Sequence, residues 1–142
     1  MFSNCTNLQT APELPATTLA ANCYWGMFEE CKSLLTAPGL PATTLADYCY
    51  SRMFRKCTNL QTAPILPATS LATSCYSNMF SGCIALNNIT MLATDISASG
   101  CLSSWVSGVS ATGTFVKNAN ATWDVTGTSG IPSGWTVNYA GQ

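Results

Sequence analysis

The chain has 142 residues, the length of one domain, with 47% hydrophobic content, only 8% charged residues and a formal net charge of −1. Five basic residues without a cluster give nucleic acid no electrostatic handle. No apolar run approaches the roughly 18 residues that span a bilayer, so membrane insertion is not expected.

The chain opens mid-pattern, as a segment of something longer would, and any export signal is expected to lie upstream of Met1 or to have been removed. Met1-Phe2, Met27-Phe28, Met53-Phe54 and Met79-Phe80 recur at steps of 26 residues. Cys5, Cys31, Cys57 and Cys83 keep that step, as do Cys23, Cys49, Cys75 and Cys101. The first three copies read MFxxCxxLxTAPxLPATxLAxxCYxx, and the fourth degrades after Leu86. The expected organisation is four repeats over 1–104 (1–26, 27–52, 53–78, 79–104) and a C-terminal β cap over 105–142.

In chain order, the first element of each unit is a short extended stretch. Leu34–Ala37 shows it, and Pro38 and Pro41 then remove two amide donors, so only a brief strand can pair there. The next runs from Thr18 to about Lys32 with Leu19, Cys23, Met27 and Cys31 at four-residue spacing. That spacing predicts one face of a helix with Thr17 or Thr18 as N-cap. Stacked copies predict an α/β repeat solenoid, a leucine-rich-repeat-like coil of short parallel strands with helical or 3₁₀ returns. Glu29 and Glu30 occupy the slots that hold Arg55 and Lys56 one repeat later, so stacking predicts a surface ion-pair ladder.

From Trp105 onward Gly, Ser, Thr and Asn dominate. Gly113–Lys117 and Trp135–Tyr139 alternate as half-buried strands do, with a turn signal at Gly130–Gly134 between them. A cap over the last repeat is expected; Trp123 and Trp135 are either its core or a platform for stacking a glycan. No comparable cap covers Phe2, Cys5 and Leu8, so either an upstream repeat is missing or another chain stacks there, the second giving a homo-oligomer through the N-terminal repeat.

The eight cysteines leave buried thiols, disulfides or a metal open. Within a helix, Cys23 and Cys31 lie roughly 12 Å apart, too far for a bridge, and zinc lacks both a C-x-x-C pair and any His. Catalysis has little to work with. Without His there is no Ser–His or Cys–His arrangement, and the six acids (Glu13, Glu29, Glu30, Asp47, Asp95, Asp124) read as exposed, cap or turn residues. No enzyme and no cofactor is expected. Three Asn-x-Thr triplets, at Asn4, Asn88 and Asn120, match the N-glycosylation pattern in a chain rich in both residues.

The units MFSNCTNLQTAPELPATTLAANCYWG and MFRKCTNLQTAPILPATSLATSCYSN resemble BspA-like leucine-rich repeats of gut and oral Bacteroidetes over residues 1 to about 104. The resemblance rests on Phe-x-x-Cys-x-x-Leu recurring in phase with a Pro-rich strand end. The 26-residue unit and the added Cys-Tyr pair depart from that pattern. The resemblance implies a strand-lined concave face and an extracellular or cell-surface role in adhesion or protein recognition, with a host or bacterial surface protein as partner. Variable slots beside the strand are the candidate binding face: Gln9, Leu35, Gln61 and Asn87 in one, Glu13, Gly39, Ile65 and Met91 in the other. The rival readings are a structural or spacer segment that self-assembles, as in a phage tail or appendage, and a carbohydrate-binding cap.

Overall fold

The computed structural model describes residues 2–141. The expected leucine-rich-repeat-like α/β solenoid with helical or 3₁₀ returns is not what forms. None of the described residues is helical, and the strands are three short ones: β1 (Asn88–Met91), β2 (Thr114–Lys117) and β3 (Thr136–Tyr139). They make a single parallel sheet in the order β1-β2-β3.

The segment expected to be helical is a run of overlapping β-turns. The amides of Cys23, Trp25, Met27, Glu29 and Cys31 each donate to the carbonyl three residues earlier. The intervening amides of Asn22, Tyr24, Gly26, Phe28 and Glu30 donate outward, to Asp47, Cys49, Ser51, Met53 and Arg55 of the next repeat. Every fourth residue takes a positive φ, as at Asn22 (61°), Gly26 (60°) and Glu30 (61°), like the third residue of a type II turn. Here the physical reason for the correction becomes visible. A strict four-residue apolar period drifts around an α-helix of 3.6 residues per turn, but it matches a backbone that repeats every four residues. Half the amides bond between repeats, so the run is held by its neighbours rather than by itself.

Stacking puts like on like. Phe2, Phe28, Phe54 and Phe80 form one column with ring centroids 5.5, 5.6 and 5.7 Å apart. Tyr24, Tyr50 and Tyr76 form a second at 6.0 and 6.1 Å, and Trp105 closes both. Phe28, Phe54, Phe80 and Trp105 are fully buried, with Leu34, Leu60 and Leu86 beside them. Each such side chain contributes about 1.5–3 kcal/mol by burial, and offset stacking adds roughly 0.5–1.5 kcal/mol per pair.

Proline decides where strands appear. Slots holding Pro12, Pro15, Pro38, Pro41, Pro64 and Pro67 in the first three repeats lack amide donors, and only isolated bridges such as Thr10 with Thr36 form there. The fourth copy has lost those prolines, and β1 begins there, pairing Asn88 with Thr114 and, through β2, Thr136. The alternation of Gly113–Lys117 and Trp135–Tyr139 thus corresponds to β2 and β3. They extend the β1 sheet in parallel.

Lys117 is drawn inward with Phe115 by that alternation. It donates to the Trp123 carbonyl and lies 5.1 Å from the Trp123 ring centroid and 5.6 Å from that of Tyr139. These contacts offset the cost of burying its charge.

Candidate functional site

The first three repeats share an open groove of about 650 Å³ on their proline side. Its walls include Pro12, Pro15, Pro38, Pro41 and Pro67, its floor Leu14 and Leu40, and its rim Glu13, Gly39 and Ile65. The prolines create it. Between these repeats the extended stretches cannot zip into a sheet, so they splay and leave a hollow where a ladder would be. Gly39 widens it, because a Cβ built there meets nothing within 4 Å.

Its backbone is underused. The N–H groups of Glu13, Leu14, Gly39 and Leu40 donate to no partner among the described residues. Leu14 and Leu40 are themselves buried, at 9% and 3% exposure. A buried amide without a partner carries a desolvation cost unless water or a ligand accepts from it. Glu13 is the one charge in the lining and makes no ion pair or hydrogen bond among the described residues.

The structure therefore brings Glu13, Gly39 and Ile65 together. Ile65 is 61% exposed, a large apolar side chain held at the groove edge. Gln9, Leu35, Gln61 and Asn87 are exposed but lie outside the lining. Backbone bonds join Leu35 N to Gln9 O at 2.9 Å and Asn87 N to Gln61 O at 3.0 Å. Met91 does not belong with them. It is fully buried and bridges Leu66, so it fills the leucine slot of the fourth copy. One residue is missing there relative to a constant 26-residue step. The dipeptide Ala93-Thr94, 25 residues after Ala68-Thr69, carries that signal in the sequence. The groove prolines, read first only as strand breakers, are the site residues that the spacing alone did not single out.

Trp123 and Trp135 face inward. Trp135 is 7% exposed and its indole N–H donates to Ser110 O at 2.8 Å. Trp123 donates to Ala93 O at 2.9 Å and meets Phe115 edge-on at 6.1 Å. Both indole donors are committed to the protein itself.

Most acids have structural partners. Glu29 bonds Arg52 at 2.8 Å and Arg55 at 3.1 Å, and Glu30 lies 3.9 Å from Lys56, so the acidic pair does face the basic pair. Arg52 also sits 5.2 Å over the Trp25 ring. Asp47 accepts from the Thr73 amide at 3.2 Å. Asp95 accepts from the Ser97 amide at 2.8 Å, and hydrogen bonding from the Ser97 hydroxyl, reinforced by that amide, holds its carboxyl below the usual range.

All eight cysteines are free thiols; six are buried, Cys5 is half-buried and Cys23 exposed. Burial pushes the six buried thiols up, Cys49 to about 11 and Cys75 and Cys83 to about 12. Such thiols are poor nucleophiles. No group of three metal-ligating side chains occurs among the described residues.

No protein-family model, curated protein or solved structure matches this chain. The expectation of a leucine-rich-repeat, cell-surface adhesion protein is corrected with the fold on which it rested. A small chain with no helix among the described residues and one three-stranded parallel sheet gives it no support.

Proposed function

We propose that the chain is a non-catalytic protein-recognition module whose proline-walled groove takes an extended, largely apolar peptide segment of a partner protein. The observation that carries this reading is the Leu40 amide, unpaired at the floor of an apolar groove. An extended peptide brings alternating carbonyls and amides to such a surface and seats side chains in its hollows. Glu13 adds a preference for a basic residue near one end, worth more for orientation and encounter than for affinity.

Fluorescence anisotropy with an array of labelled extended peptides tests it. Peptides combining apolar residues with one Lys or Arg should bind. Gly39→Phe should abolish binding in a protein that still folds, because Gly39 lines the hollow and a Cβ there meets no protein atom within 4 Å. Unchanged binding by a folded Gly39→Phe protein would remove the groove from the account.

A further inference from the structure

Of the ten glycines, nine have a local reason to be glycine. Seven hold a positive φ, and at Gly113 and Gly130 a Cβ would strike the carbonyl oxygens of Asn87 and Val125. Gly39 has neither reason. Its φ is not positive, and a Cβ built there meets nothing within 4 Å. Backbone and space would both accept a side chain, yet the slot is bare between Glu13 in the coil before and Ile65 in the coil after.

The missing side chain leaves a notch across the groove. Neighbouring coils stand 5.5 to 5.7 Å apart along the phenylalanine column. A flat group held between two side chains needs about 3.5–4.0 Å of van der Waals separation on each face. One coil spacing is too little for that, whereas two spacings, from Glu13 to Ile65, admit one flat group. Pro38 and Pro41 flank the floor. Both walls and the floor lie within residues 13–65, so coils bound the notch on either side.

The two walls differ in chemistry. Ile65 offers an apolar side chain, and Glu13 brings the one charge among the lining residues. A guanidinium satisfies both walls. It is planar, always charged and weakly hydrated, and its fork of N–H donors matches a carboxylate bidentately. Its methylene stem can lie along the proline rings. Lysine has the charge without the plane, and an aromatic ring has the plane without the charge.

We infer that the notch over Gly39 is an arginine subsite, in which a guanidinium lies between Glu13 and Ile65. The inference rests on the peptide-binding reading of the groove and names the residue that the groove selects. A guanidinium only donates hydrogen bonds, so it leaves the unpaired Gly39 and Leu40 amides to the carbonyls of the bound peptide.

Fluorescence anisotropy tests this with a short labelled peptide of alternating valine and threonine. Its central residue is arginine, lysine, citrulline (flat but uncharged) or phenylalanine. The arginine peptide should bind about tenfold more tightly than the other three. Gly39→Val should bring it down to the affinity of the lysine peptide, because the new side chain closes the notch. Equal binding of the arginine and lysine peptides, a citrulline or phenylalanine peptide that matches arginine, or an arginine preference that survives in Gly39→Val would each overturn the subsite and leave the groove standing. Binding by none of the four would remove the groove and the subsite with it. Should Gly39→Val fail to fold, the four-peptide series on the unaltered chain decides.

Discussion

The Cys57 thiol donates to the Phe28 carbonyl of the preceding repeat at 3.1 Å, so one small side chain links the turn run to the aromatic column. Cys31 and Cys83 do the same to Phe2 and Phe54, each at 2.9 Å. The recurring cysteine is thus explained by hydrogen bonding and fit rather than by disulfides. Cys57→Ala removes the donor and leaves a small void in a fully buried site, at a cost of about 1–2 kcal/mol in urea denaturation. Thiol labelling of the folded protein should proceed fast at Cys23, more slowly at Cys5, and at the six buried cysteines only on unfolding.

Alkaline pH should destabilise the fold. In the unfolded chain the thiols lose their protons near their ordinary value of 9.0, whereas burial holds Cys75 and Cys83 protonated to about 12. Above pH 9 the unfolded state binds fewer protons than the native one, so stability falls as pH rises. The contribution of these thiols is full below pH 9 and is lost progressively up to about 12. Melting temperatures across this range check it, and Cys75→Ala should flatten the slope.

Backbone strain offers a gain in stability. Tyr48 holds φ at 59° with its ring 43% exposed, a left-handed position that costs a non-glycine residue roughly 1–2 kcal/mol. Tyr48→Asn should raise stability by about 1 kcal/mol, since asparagine tolerates that conformation. Gly82→Ala should lower it, because φ is 79° and the new Cβ would lie 3.0 Å from Lys56 Cγ. Chemical denaturation of both variants measures the pair.

The clustered pairs around Glu29 should be salt-sensitive. Glu29 is 14% exposed and serves two arginines, so Glu29→Gln should cost about 1 kcal/mol at low ionic strength and less in high salt. The expected difference is read from denaturation midpoints at two salt concentrations.

How much of this was legible follows from particular residues. The 26-residue register of Phe2, Phe28, Phe54 and Phe80 is plain in the sequence, and so is the facing of Glu29 and Glu30 by Arg55 and Lys56. The turn run was misread because four-step spacing fits both a helix face and a four-residue turn repeat. Asn22, Gly26, Asn78 and Gly82 at positive φ were the available signal, since Asn and Gly tolerate left-handed backbone. Tyr48, Arg52 and Lys56 in equivalent slots hid it. In the site, Glu13, Gly39 and Ile65 could be placed by variability, but Met91 could not, because one lost residue shifts the register by a face. The groove itself depends on what unpaired prolines do to neighbouring coils, which spacing along one chain does not encode.

Amide resonances decide whether the groove is a binding site. Titration of ¹⁵N-labelled protein with an extended apolar peptide carrying one basic residue should shift Glu13, Leu14, Gly39 and Leu40, leaving Trp123 and Trp135 indole signals still. Shifts confined to the β2–β3 surface, with those four amides unmoved at saturation, would contradict the groove and transfer the binding function to the other end of the molecule.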